Sequence, residues 1–148
     1  LREVGEGDVN RVRVQHTGAK MLLLVDGEQI VGAKQDRVFN ASFLVAPGGD
    51  VELPVSCVER GRWHLVRERF EGLSQSPSSL RARKARSSSE QARRGGPAVP
   101  EQAEVWAAVD AVHEKLAFRS QTAALEDCRN NGTSVDECVT NNIDLFFP

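Results

Sequence analysis

The chain has 148 residues, of which 40% are apolar, and it carries a formal net charge of −2. This length and composition favour one domain with a hydrophobic core and argue against wholesale disorder. With a pI near 6.0, the overall charge attracts the chain neither to nucleic acid nor to an anionic membrane, so any such binding must be local. No run of about eighteen apolar residues is present to span a bilayer.

The cysteine pattern points to a reducing compartment. Cys57, Cys128 and Cys138 are an odd number of cysteines at long spacings, which fits neither a disulfide framework nor a four-ligand zinc site. His16 and His113 have no His or Cys neighbour at metal spacing. We therefore predict a cytoplasmic protein with no cofactor and no metal.

The first seventy residues predict β structure. The segment 9–15 alternates apolar and charged residues, as a strand with one wet face does. The continuous apolar run 21–25 is typical of a strand in the middle of a sheet. Asp26-Gly27 follows it directly and predicts a hairpin turn into a returning strand over 28–31.

Two further strands are predicted over 38–45 and 51–58, with a Pro-Gly turn between them. Pro54 interrupts the second strand, which indicates an edge strand or a bulge. The segment 63–66 predicts one more short strand, in which Trp63 is interpreted as a core anchor rather than a ligand platform. Short strands separated by turns are typical of an antiparallel sandwich or half barrel.

Composition changes after Phe70. A basic helix is predicted from Leu80 to Arg94 and an amphipathic helix from 101 to 118, with two short helices over 120–142. We predict an α+β fold, with an N-terminal antiparallel β-sheet or sandwich layer and C-terminal helices packed on it. We expect a single domain, 1–148, that continues beyond both ends of the given chain. Its parts are a β-rich segment (1–70), a Ser/Pro-rich basic helix and linker (71–100), and a helical segment (101–148).

Side chains able to bind a charged ligand are concentrated between residues 28 and 40. Lys34 and Arg37 can bind phosphate or carboxylate, while Gln35 and Asn40 can orient hydroxyls or amides. The alternative is a charged hairpin and loop held by weak ion pairs. The concentrated polar residues are Glu28, Lys34, Gln35, Asp36, Arg37 and Asn40.

A second polar segment runs from Pro54 to Leu65. A bend can bring Cys57 and His64 together as nucleophile and base, although a buried, inert cysteine is the favoured interpretation. If this strand lies beside the 28–40 segment, Glu28 and Glu59 face one cleft as paired carboxylates suited to acid/base catalysis at glycosidic bonds. Arg62 is the predicted charge-binding residue of this segment.

The run from Arg81 to Arg94 is strongly basic. It is typical of a phosphate-binding or nuclear-localisation patch, but it has no interleaved aromatic residues to stack on bases. A solvated helix is the alternative. Arg81 and Arg83 can also reach back over the sheet and close the predicted ligand site from a second side.

Three segments together, VDGEQIVGAKQDRVFNASFLV, PVSCVERGRWH and SLRARKARS, resemble the prokaryotic domain family named for its association with ADP-ribosylglycohydrolases and rhodanese-phosphatases. The resemblance covers about Leu1 to Leu125. The resemblance implies an ADP-ribose-like or nucleotide ligand. It does not imply a particular enzymatic activity. Asp36 stands where the family commonly has Asn, and the chain ends where the family continues into a further strand and helix. The family's polar signature corresponds to Glu28, Gly32, Lys34, Gln35, Arg37, Asn40, Ser56, Cys57, Glu59, Gly61, Arg62, Trp63, Arg81, Arg83 and Lys84.

The leading hypothesis is a cytoplasmic domain that binds, and if it is an enzyme processes, an anionic ADP-ribose-like or nucleotide-derived small molecule. The sequence does not decide whether chemistry occurs. Glu28 and Glu59 are the candidate catalytic residues. The alternative is a non-enzymatic adaptor whose basic helix, 80–94, docks an acidic protein or nucleic acid, although nucleic acid is the less favoured partner and no membrane is expected. The predicted ligand-binding residues are Lys34, Gln35, Arg37, Asn40, Arg62 and Arg81.

Overall fold

The computed structural model describes residues 1–5 and 8–130, and within them the predicted α+β class is confirmed. The predicted helical region beyond residue 130 lies outside the described residues. The strands are β1 (Arg2–Glu3), β2 (Arg11–Gln15), β3 (Leu22–Leu24), β4 (Glu28–Gly32), β5 (Arg37–Phe39), β6 (Phe43–Val45), β7 (Asp50–Cys57) and β8 (Phe70–Gln75). The helices are α1 (Ser78–Arg93), α2 (Gln102–Lys115) and α3 (Asp127–Asn130).

The main sheet has six antiparallel strands in the order β1-β2-β7-β5-β4-β8. Its two edge strands, β1 and β8, are linked by the backbone N–H of Phe70, which donates to the carbonyl of Leu1 at 3.2 Å. The sheet is therefore curled until its edges meet. We call the line along which β1 approaches β8 the seam.

Two apolar clusters stabilise the fold on opposite faces of this sheet. The first fills the curl with residues from β2 to β8, among them Ile30, Phe39 and Val55. The second lies under α1 and α2 and joins Val38 of the sheet to Leu80, Val105 and other apolar side chains of the helices. The amphipathic face predicted for α2 is thus the face that packs on the sheet.

The predicted hairpin through Asp26-Gly27 is wrong, although a turn is present there and Gly27 has a φ of +84°. β3 pairs with β6 in a separate two-stranded sheet, while β4 pairs with β5 and β8. The turn therefore carries the chain from one sheet to the other, and the predicted strand 38–45 is divided between them. Leu23 is 59% exposed, because β3 lies in this small sheet and not at the centre of the large one.

β7 is an internal strand of the main sheet, so the edge position predicted from Pro54 is wrong for the strand as a whole. Pro54 occupies the place where β7 changes partners, since β2 pairs with β7 up to Pro54 and β5 pairs with it from Val55 onward. A residue without a backbone N–H is tolerated at this changeover because neither ladder needs a donor from it.

None of the helices within the described residues combines the length and apolar character needed to cross a bilayer.

Candidate functional site

The two polar segments predicted from the sequence meet at the side chain of Arg62. Its guanidinium donates to both oxygens of Glu59, at 2.8 and 2.5 Å, and to Oδ1 of Asp36 at 3.1 Å. It also donates to the carbonyl of Ala33 at 2.8 Å. We call Asp36, Glu59 and Arg62 the Arg62 cluster.

The Arg62 cluster is almost fully removed from water, with side-chain exposures of 10% for Arg62, 9% for Asp36 and 5% for Glu59. Burial raises the pKa of Asp36 to about 6 although the N–H of Gly32 donates to its carboxylate at 3.0 Å. The backbone N–H of Asp36 donates to Glu59 at 3.0 Å. These bonds fix the loop after β4 to the chain that follows β7, and they engage the guanidinium internally.

Glu28 and Glu59, the candidate catalytic carboxylates, lie at opposite ends of β4. Glu28 is the first residue of the strand and accepts a hydrogen bond from the N–H of Val25 at 2.8 Å. Glu59 lies beyond the last residue of the strand, Gly32, because its partners Asp36 and Arg62 are there. The paired arrangement expected of these two glutamates is not formed, and Glu59 instead shares the guanidinium of Arg62 with Asp36.

Arg37 points into the protein and is 0% exposed. Its guanidinium donates to the side-chain oxygen of Gln35 at 3.3 Å and lies 3.7 Å from Glu3, and burial lowers its pKa. The thiol of Cys57 donates to the same Gln35 oxygen at 3.2 Å. Burial raises the pKa of Cys57, which is the opposite of what a reactive thiolate requires.

Asn40 and Arg81 also have internal roles in the described structure. The amide oxygen of Asn40 accepts a hydrogen bond from the hydroxyl of Ser56 at 2.9 Å. Arg81 lies against the turn at Gly27 so closely that a Cβ on that glycine would be 2.3 Å from its Cδ. Both residues therefore contribute to packing between neighbouring elements.

Part of the basic run of α1 is compensated by acidic neighbours. Lys84 is 2% exposed and donates to Asp26 at 2.8 Å and to the carbonyl of Phe39. Arg83 donates to Glu104 of α2 at 2.9 Å. Two of the charges that made this segment basic in the sequence are thus used to attach α1 to its surroundings.

An open groove of about 530 Å³ runs beside the seam. Asp50 engages Arg13 through two hydrogen bonds of 2.7 and 2.8 Å. Arg2 and Arg69 are exposed, and neither makes an ion pair within the described part of the chain. We call this the seam groove, and its lining residues are Leu1, Arg2, Glu3, Arg13, Gln15, Thr17, Asp50 and Arg69.

Lys34 contacts Glu3 of the seam groove through its backbone, whereas Trp63 is not among the residues that line the groove. The backbone N–H of Lys34 donates to the carboxylate of Glu3 at 3.0 Å, and its Nζ lies 5.7 Å from the centre of the Trp63 ring. Trp63 is 55% exposed. Both its predicted burial and the strand predicted over 63–66 are wrong, because this segment is a loop that contacts the chain after β4 through the N–H of Val66 and the carbonyl of Ala33.

Arg2, Arg69 and the exposed position of Trp63 were missed by sequence reasoning. The two arginines are isolated residues far apart in the chain, and only the curl of the sheet brings them together. Exposure of a tryptophan has no local sequence signature, although the basic and polar neighbours of Trp63 were a weak signal for it.

Within residues 1–5 and 8–130, no group of three or more His, Cys, Asp or Glu side chains is arranged to hold a metal ion.

Comparison with known proteins agrees with the resemblance seen in the motifs. Residues 2–144 match the family model described as the ARG and Rhodanese-Phosphatase-superfamily-associated Protein domain. No curated protein and no solved structure matches the chain.

Proposed function

The chain belongs to the ARG and Rhodanese-Phosphatase-superfamily-associated Protein domain family, and we propose that it binds an anionic, nucleotide-derived small molecule of the ADP-ribose type in the seam groove. The observation that carries the proposal is the presence of Arg2 and Arg69, without ion-pair partners in the described residues, in a groove of about 530 Å³. That volume is in the range of ordinary small-molecule sites.

The chemistry of the groove favours an anion. Guanidinium groups bind phosphate through two parallel hydrogen bonds, which are stronger than neutral ones. Glu3 also lines the groove, but its carboxylate accepts the N–H of Lys34 and lies 3.7 Å from the buried Arg37. These contacts offset its repulsion of a negatively charged ligand.

The seam groove supports this function better than the arginines that are conspicuous in the sequence. Arg62 already donates to two carboxylates, and Arg37 is inaccessible. A ligand phosphate could bind either guanidinium only after a buried ion pair had opened, which is energetically expensive. Anion recognition is therefore assigned to Arg2 and Arg69, with Lys34 at the border of the groove.

The ADP-ribose class is part of the proposal, and the association named in the family's description supports it. The proposal is confined to binding, because the candidate catalytic carboxylates of Glu28 and Glu59 lie at opposite ends of β4.

Calorimetric titration of ADP-ribose and AMP into the protein at physiological ionic strength tests the proposal. Arg69→Ala removes one guanidinium from the groove and is expected to weaken binding by at least about tenfold, the usual effect of losing a charge-assisted hydrogen bond. Arg67→Ala is the matched control. Arg67 is 55% exposed, lies two positions away and pairs with Glu71 outside the groove, so its loss should change affinity by less than about twofold.

Two results would contradict the proposal. One is the absence of measurable binding of either nucleotide to the unmodified protein. The other is equal affinities for the Arg69→Ala and Arg67→Ala variants, since a merely electrostatic attraction would respond alike to the loss of either neighbouring charge.

The adaptor hypothesis takes second place because of the pairing found on α1. Docking through the 80–94 segment would depend on uncompensated basic side chains, and their number is reduced because Lys84 is buried against Asp26 and Arg83 is paired with Glu104. Arg86 and Arg93 are the exposed arginines of this segment that make no ion pair within the described residues.

A further inference from the structure

We propose that the protein forms a symmetric dimer in which the open edge of β3 pairs antiparallel with β3 of a second copy. The small sheet of β3 and β6 shares no lining residue with the seam groove, so this surface is separate from the proposed ligand site. Three features of the small sheet support the pairing: an open strand edge, an exposed apolar face and a matched pair of charges.

The edge of β3 that faces away from β6 is open. β3 pairs with β6 on one side, and among the described residues no other strand lies beside it. Its outward-pointing backbone N–H and C=O groups are therefore available to another strand. Exposed edges are commonly protected by a charged side chain, a proline or a bulge. The segment 21–25, Met-Leu-Leu-Leu-Val, has no charge and no proline, and the register of β3 with β6 is regular.

The outer face of the small sheet is apolar. Leu23 and Leu44 lie directly opposite each other on β3 and β6 and are 59% and 63% exposed. Met21 and Val25 extend this face along the chain and are also exposed. The inner face packs on the core of the curl. Contiguous apolar surface outside a core is typical of an interaction site.

The charges that flank β3 fit a second copy of the same strand. A two-fold axis at Leu23 aligns residue 22 with 24, 21 with 25 and 20 with 26 of the second copy. The exposed Lys20 is thereby aligned with Asp26 of the second copy. Asp26 binds Lys84 through Oδ1 at 2.8 Å and keeps 36% of its side chain exposed, so its carboxylate can accept a second cation.

The open edge of β6 fits a second copy less well. Pro47 follows β6 closely, and a proline has no backbone N–H to offer to a new strand. The residues that flank β6, 41–42 and 46–47, carry no charge, so pairing of β6 with itself would gain no ion pair. Pairing through β3 uses the same edge in both copies, and assembly therefore closes at the dimer.

Sedimentation velocity of the whole chain over a range of micromolar concentrations tests the proposal. We expect a reversible equilibrium between monomer and dimer. Leu23→Lys should raise the dissociation constant at least about tenfold, because two lysines then face each other across the axis. Leu44→Lys is the matched control. Leu44 lies on the same face with similar exposure but one strand away from the axis, so the constant should change by less than about fivefold.

Two further variants test the register. Lys20→Glu places two acids opposite each other and should weaken the dimer by about twofold to fivefold at low salt, with little effect at high salt. Leu23→Cys brings two thiols directly opposite each other across the axis, within the distance that a disulfide spans. Glutathione disulfide should therefore cross-link this variant and leave Leu44→Cys and the unmodified protein uncross-linked.

Three results would overturn the proposal. The first is a monomer at every concentration. The second is an equal loss of affinity in Leu23→Lys and Leu44→Lys, because the contact would then lie on the apolar face and not at the edge of β3. The third is a cross-link in Leu44→Cys without one in Leu23→Cys, which would assign the contact to β6.

Discussion

The Arg62 cluster and the seam groove are two arginine-containing sites on one curled sheet, and they use their guanidinium groups in opposite ways. Arg62 is 10% exposed and donates to two carboxylates, whereas Arg2 and Arg69 are exposed and unpaired within the described residues. A dense mixture of acids and bases in sequence can mark an internal network, because the charges form ion pairs with one another. Sparse charges brought together by topology remain available to a ligand.

The strongest expected effect is on the stability of the Arg62 cluster. Arg62→Ala leaves the carboxylates of Asp36 and Glu59 buried without their cation and should lower the free energy of unfolding by about 3–5 kcal/mol. Arg60→Ala is the control, because Arg60 is 48% exposed and pairs with Asp110 at the surface, where a loss of about 1 kcal/mol or less is expected. Urea unfolding measures both, and equal midpoints would show that the cluster is not the internal anchor described here.

A second prediction concerns the contact between the loop after β4 and the seam. Gly32 has a φ of +120°, and a Cβ there would lie 2.9 Å from the carbonyl oxygen of Arg69. Gly32→Ala should therefore destabilise the protein by about 1–3 kcal/mol and also displace Arg69. Gly48→Ala is the comparison at a positive φ without crowding, because Gly48 has a φ of +72° with nothing within 4 Å of the added methyl. If Gly32→Ala is no more destabilising than Gly48→Ala in urea unfolding, the close contact between residue 32 and the carbonyl oxygen of Arg69 does not contribute to stability.

The third prediction is a pH dependence of stability. The pKa of Asp36 is raised to about 6 by burial, against about 3.9 in an unfolded chain. The folded state therefore binds more protons between about pH 4 and pH 6, and stability from this group is lost as the pH rises through that window, by at most about 3 kcal/mol.

Asp36→Asn keeps an oxygen for the N–H of Gly32 and removes the titration. Relative to the original protein, this variant should therefore become more stable as the pH rises from 4 to 7. Parallel stability curves for the two proteins would contradict the raised pKa.

The smallest effect is expected in the seam groove itself. Asp50→Asn releases the exposed Arg13 from its carboxylate partner and should raise AMP affinity by about twofold to fivefold, with a larger gain at low salt. Glu52→Gln is the matched control, since Glu52 pairs with Arg11 and does not line the groove. An equal gain from both variants in the calorimetric titration would indicate a general charge effect rather than a local one.

Much of the local structure was predictable, because strand alternation and helical spacing are properties of short segments. The helices α1 and α2 and the strand β2 follow their sequence patterns closely. The pairing of β3 with β6 was not predictable, since Asp26-Gly27 is equally compatible with a hairpin and with a turn between sheets. Pro54 was correctly singled out as an interruption, but only the sheet order shows that it marks a change of partner.

The candidate site was predicted only in part. The convergence of the two polar segments is seen at Arg62, yet the burial that makes Arg62 and Arg37 structural depends on distant packing and has no local signature. Lys34 is the predicted ligand-binding residue that remains at the border of the open groove. Arg2 and Arg69 could not be paired from sequence, because their proximity results from the closure of β1 on β8.

The most direct test of the central claim is to follow the side-chain Nε–H resonances of individual arginines by NMR during a titration with AMP. We expect the resonances of Arg2 and Arg69 to shift with the ligand concentration, while that of Arg62 stays constant because its guanidinium remains bound to Asp36 and Glu59. A shift at Arg62 with none at Arg2 or Arg69 would contradict this expectation. It would indicate that the ligand binds at the Arg62 cluster.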